Sequence, residues 1–205
     1  MRSLLALVLL PAWIGGAAAE PLILAETPVG SDRCKVVEMA KTDDAGEPLD
    51  KGEYYASSWR CDGYRDRFVY IAYGDQREGL AFGSVQAATT DYMWHPRFGA
   101  WGPSIEWRGT QADSPRSGLA AVARYSWTIQ IGPDGGQADI GADLAVISVG
   151  QAQEDTCVVA WVDAAANPDA VDLARKRADE ILSGNSCKPR GQPERLGKLS
   201  PRPTE

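Results

Sequence analysis

Histidine is nearly absent from this chain: His95 is the single one in 205 residues. A Ser-His-Asp or Cys-His catalytic set would have to be built on it alone. No Gly-x-Ser-x-Gly elbow, Gly-x-Gly-x-x-Gly turn or Walker-type phosphate loop occurs. Cysteine stops at four, and zinc sites want several His or Cys ligands, so zinc is not expected. Positive charge is short as well. Lys and Arg number 21 against 28 Asp and Glu, and the net charge is −7. An acidic body opposes binding to nucleic acid or anionic lipid. Long apolar runs are missing too. Residues 4–10 form one short run, broken by Pro11, and no stretch is long enough to span a bilayer after it.

What is present at the N-terminus is a basic start, that short apolar core and Ala17-Ala18-Ala19 before Glu20. These are the parts of a signal peptide over 1–19. No Cys follows the run, so lipid attachment is not expected. The mature chain is expected to be periplasmic or secreted. Residues 20–187 suit one globular domain. Residues 188–205 hold five basic and two acidic residues among Pro and Gly, and are expected to be a disordered tail.

In an exported chain four cysteines read as two disulfides, with three possible connectivities. The segment 155–187 selects among them. Cys157–Asp163 is β-branched and aromatic and reads as a buried strand. Asn167 and Pro168 read as a cap and first helical position. Ala170, Ala174, Ala178, Ile181 and Leu182 then recur at helical spacing, with Gly184 as the stop. A seven-residue strand is about 23 Å long, and a helix of about 16 residues about 24 Å. An antiparallel return therefore brings Cys187 beside Cys157, which leaves Cys34 to pair with Cys61.

Elsewhere the pattern is extended. Arg67 to Tyr73 is apolar on both faces, so it is expected to be central. Residues 104–108 alternate, with Ile105 and Trp107 inward and Glu106 and Arg108 outward. Leu119–Ile131 puts Leu119, Ala121, Ala123, Tyr125 and Trp127 on one face and Arg124, Ser126 and Thr128 on a wet one. The fold class is α+β: a twisted, largely antiparallel sheet of about seven or eight strands, open or partly closed, with one C-terminal helix packed on it. A wholly closed small barrel is the alternative.

Several stretches resemble a family of small exported bacterial proteins. They are Trp59-Arg60-Cys61 with Gly63-Tyr64, Gly74-Asp75 with Arg77, Ile105 to Arg108, and above all Cys157 through Asp163, Asn167 and Arg175 to Asp179. The resemblance implies the same cysteine-clamped sheet and helix and implies no reaction. Trp59-Arg60-Cys61-Asp62-Gly63 followed by a strand also resembles periplasmic lysozyme inhibitors over those few residues.

The candidate site residues are accordingly few. Residues 87–102 have no period of 2 or 3.6, but they carry Tyr92, Trp94, Phe98 and Trp101 between prolines and glycines. Aromatic rings in such a loop offer contact area, and these four are the candidate binding residues. Glu106 with Asp75 or Asp163 could form the carboxylate pair of a glycan hydrolase. Asp134, Asp139 and Asp143 match no EF-hand spacing and read as ordinary turn residues. His95 reads as a residue packed in the loop or exposed on it. Asp179 stands one turn from Arg175 and is expected to pair with it. No catalytic residue, metal or cofactor is assigned. The expectation is a non-catalytic binding or structural module of the cell envelope, with an envelope protein or glycan as partner. An inhibitor of an exogenous enzyme such as lysozyme, or an envelope hydrolase, is the alternative.

Overall fold

The computed structural model describes residues 21–30, 32–39, 57–83, 92–110, 118–131, 136–150, 155–182, 187 and 192–200. The expected leader at 1–19, the hairpin tip with Asp134, the helix stop at Gly184 and the tail positions 188–191 and 201–205 lie outside them.

Eleven strands and one helix are described. They are β1 (Pro21–Pro28), β2 (Lys35–Met39), β3 (Ser57–Asp62), β4 (Phe68–Gly74), β5 (Arg77–Gly83), β6 (Met93–Trp94), β7 (Gly99–Thr110), β8 (Leu119–Ile131), β9 (Gly136–Val149), β10 (Cys157–Asp163), α1 (Ala170–Ile181) and β11 (Glu194–Leu196). They share one mixed sheet of order β11-β10-β9-β8-β7-β5-β4-β3-β2, with β1 paired to β7 and β6 to β5. The path ends at β2 and β11, so the sheet is not closed, against the partly closed and barrel alternatives. The α+β class stands, but the strand count exceeds seven or eight and β11 runs parallel to β10.

The sheet forks at β7, and the sequence shows why. The pairing of β7 with β8 shifts register between Trp101 and Ile105. Gly102 and Pro103 lie in that interval, and Pro has no N–H to donate to a ladder. Before the shift, Gly99 pairs with Arg77 of β5. After it, 104–110 pairs with β1. Val29 N–H donates to the Pro103 carbonyl at 2.8 Å, closing the fork. Gly99 has φ of 147°, and a Cβ there would run into the Ser126 carbonyl oxygen, so only glycine fits that crossing.

Period-2 alternation then builds two cores on the two faces. On one face Val69, Ile71, Leu80 and Phe82 meet Ile105, Trp107, Tyr125, Trp127, Ile147 and Trp161. On the other, Ala120, Val122, Leu144, Val146, Ala160 and Val162 meet Ala170, Ala174, Ala178 and Ile181 of α1. The wet face expected for β8 is thus half covered: Ala120 and Val122 lie under the helix, while Arg124 and Ser126 are exposed. Alanine every fourth residue lets the helix lie close to the sheet.

Cys34 is bonded to Cys61 and Cys157 to Cys187. The clamp expected from the lengths of strand and helix is present. Two disulfides fit an oxidising compartment. Among the described residues no helix is long and apolar enough to cross a membrane.

Three local expectations are corrected. Asn167 does not cap α1: Asp169 occupies the cap position without a side-chain bond. The Asn167 amide instead donates to the carbonyls of Asp163 and Lys198 at 2.8 Å each, and its oxygen accepts from Lys198 N–H at 2.8 Å. The tail is therefore not disordered throughout. Glu194–Leu196 adds to the sheet edge, Ser200 N–H donates to Asp163 at 2.7 Å, and Gly197, at φ 73°, lets the chain turn against Asn167. These polar bonds fix a segment that has little apolar area to bury. Finally, Asp179 pairs with Arg108 rather than Arg175.

Candidate functional site

The fork in the sheet leaves a cleft of about 540 Å³, within the usual range for small-molecule sites. Three strands supply its inner wall by alternation. Trp59 pairs with Ile71, and Tyr73 with Glu78, so all four side chains point to one face. Trp101 and Gly102 of β7 form the opposite side, and Val29, Gly30, Asp32 and Val36 form the rim.

Glu78 is the one half-buried carboxylate in this wall. Its Oε2 accepts from Trp101 N–H at 2.8 Å, and its backbone carbonyl accepts from the Trp101 indole N–H at 3.1 Å. Its Oε1 has no partner among the described residues. Burial pushes the Glu78 carboxyl above its ordinary range, and the Trp101 N–H offsets only part of this. Asp32, at the rim, is exposed and paired with Arg33 at 3.2 Å. No Lys or Arg is among the described lining residues.

Behind Trp101 lies a second buried cluster. His95 is fully buried, stacked on Tyr125 at 4.3 Å and edge-on to Trp161 at 4.7 Å. Its Nδ1 accepts from Arg97 N–H at 3.1 Å. That bond fixes Nε2 as the donor to Asp143, 3.0 Å away. Arg195 of β11 donates to the same Asp143 oxygen at 3.0 Å. Every polar atom of the ring is thus used inside the core, and His95 is a packed core residue, not one exposed on the loop. The Tyr125 hydroxyl donates to the Arg97 carbonyl at 2.9 Å, and burial raises its pKa.

The four aromatic candidates do not form one surface. Trp101 is buried between Tyr125 and Trp161 and reaches the cleft. The rings of Tyr92, just before β6, and Trp94 within it lie 6.0 Å apart, with Trp94 exposed. Phe98 sits under the Arg77 guanidinium at 5.9 Å.

The carboxylates considered for hydrolysis are engaged separately. Glu106 accepts from Arg175 at 2.6 Å and Arg108 at 2.9 Å. Burial alone would raise its pKa, but the two guanidiniums outweigh this and hold it below the ordinary value. Asp75 pairs with Arg77 in a turn at 2.6 Å. Asp163 accepts from the N–H groups of Ala165, Ala166 and Ser200. The three share no partner. Among the described residues no three His, Cys, Asp or Glu side chains gather around a metal position.

No protein-family model matches the chain, and no curated protein or solved structure matches it. The cleft is read from its own residues. Glu78 is not among the sequence-derived candidates, since the apolar run that marks its strand begins at Leu80. The signal was there: Glu78, Leu80 and Phe82 alternate, which puts the acid on the face of two core residues.

Proposed function

We propose that this is an exported, non-catalytic module of the bacterial cell envelope that binds a small ligand in the cleft between Trp59 and Trp101. The observation that carries the reading is an aromatic-walled cavity with a half-buried Glu78 whose second oxygen has no partner among the described residues. A half-buried carboxylate at a cavity wall, with one oxygen held by the backbone, offers the other to a ligand group. Of the two lining carboxylates, Asp32 is exposed at the rim and paired with Arg33, which suits binding better than hydrolysis by a matched carboxyl pair. The two disulfides support a periplasmic or secreted location.

The inhibitor alternative has less support. Within Trp59-Arg60-Cys61, Arg60 lies over the Phe68 ring at 4.7 Å and Cys61 is buried in a disulfide, while Trp59 turns to the cleft.

A fragment library screened by ligand-observed NMR tests the proposal. Hits are expected with the native protein and are expected to be lost with Trp59→Leu. Hits that bind Trp59→Leu equally well, or a complete absence of hits, would remove the cleft as a binding site.

A further inference from the structure

We infer that the ligand of this cleft is an organic cation, a quaternary or primary ammonium group held against tryptophan and tyrosine faces with Glu78 as its counter-charge. The inference rests on the cleft reading above and adds the chemical class.

Three observations converge on it. Three aromatic residues, Trp59, Tyr73 and Trp101, line one cleft. Indole and phenol faces carry negative potential and attract cations, tryptophan most strongly. The charge in the wall is of one sign, since Glu78 and Asp32 line it and no described Lys or Arg does. The two described carboxylates disfavour an anionic ligand there. Lastly, Glu78 carries a charge deficit. Its only described side-chain partner is a neutral amide, that of Trp101, and the nearest cation along its strand, Arg77, is paired with Asp75 at 2.6 Å. An ammonium at Oε1 supplies the missing positive partner.

A neutral sugar is the main competitor for an aromatic cleft. Sugar hydroxyls need several fixed donors and acceptors. The described lining side chains offer two carboxylates, the Tyr73 hydroxyl and the Trp59 indole N–H, with no Asn, Gln, Arg or Lys. That set is short of donors for a sugar and adequate for a cation. The net charge of −7 also raises the local concentration of cations.

A pH dependence follows. The groups facing Glu78 are Asp32 from the turn after β1, Tyr73 from β4 and Tyr125 from β8, with Arg77 beside it. Because burial holds the Glu78 carboxyl above its ordinary range, a bound cation would draw its pKa down. Affinity therefore rises as pH climbs through the value of the free protein, then levels off.

Calorimetry with choline and tetramethylammonium tests the class. The controls are 3,3-dimethylbutan-1-ol, the uncharged carbon analogue of choline, and N-acetylglucosamine. Choline is expected to bind about ten-fold or more tighter than its neutral analogue. Glu78→Gln, which keeps an acceptor for Trp101 N–H, is expected to remove that advantage while its melting curve shows a folded protein. Equal binding of the neutral analogue, or tighter binding of N-acetylglucosamine, would overturn the cation class and leave the cleft as a site. Failure of both cations at millimolar concentration would also overturn it, whereas the library screen with Trp59→Leu decides the cleft itself.

Discussion

At the residue scale, ion pairs that alternation would place in water are set inside the fold. Arg108 was expected to face outward, yet it is only 6% exposed because α1 lies over it. Its Nε and one Nη bond both oxygens of Asp179, at 2.7 and 2.8 Å, and its other Nη bonds Glu106 at 2.9 Å. Arg175 closes the quartet on Glu106. Side-on guanidinium–carboxylate geometry is the strong form of this contact. Arg108→Met is therefore expected to cost about 2–3 kcal/mol, because it strands Asp179 and takes one of two guanidiniums from Glu106, and a urea titration would read it; a cost under about 0.5 kcal/mol would mean the quartet adds little to stability. Asp163 gives a pH signature. Burial alone would raise its pKa, but the bonds from Ser200, Ala166 and Ala165 hold it below the ordinary value. Its stabilising contribution is then fully present above about pH 4, the ordinary aspartate range, and is lost as pH falls through the lower value of the folded state. Melting curves of Asp163→Asn are expected to lie below those of the native protein at pH 7, with the gap narrowing toward pH 2. A gap that is constant with pH would contradict this.

At the element scale, α1 is held by three means: the alanine face on β8, β9 and β10, the Arg108–Asp179 pair, and the Cys157–Cys187 bond. The last closes a loop with a sequence separation of 30, so replacing both cysteines by serine is expected to cost about 3.5 kcal/mol by loop entropy. Denaturant unfolding of that double variant against the native protein measures it, and an unchanged midpoint would show that the face and the ion pair suffice. Periodicity made this unit legible. Leu119–Ile131 and Cys157–Asp163 have the same bounds in sequence and structure, since long alternating or β-branched runs have no competing reading. β11 was not legible, because a three-residue strand held by Asn167, Asp163 and Asp143 carries no hydrophobic pattern of its own.

At the scale of the whole molecule, one sheet serves two cores. β8 and β9 contribute to both, through Ala121 and Ile147 on one face and Val122 and Val146 on the other. Neither core can open without disturbing those strands, so helix loss by circular dichroism and core exposure by tryptophan fluorescence are expected to share one urea transition. Separate midpoints would show that the helix layer unfolds by itself. Alternation, β-branched content, the matched lengths of strand and helix, and the charge balance by themselves determined an acidic α+β chain with Cys34 paired to Cys61 and Cys157 to Cys187. Those properties depend on spacing along the chain, which the sequence contains in full. The fork at Gly102-Pro103, the cleft it opens, the burial of His95 on Asp143 and the open Glu78 oxygen were decided only by the tertiary structure. Each depends on which strands become neighbours across tens of residues, and that choice is made by the packing of both faces of the sheet at once.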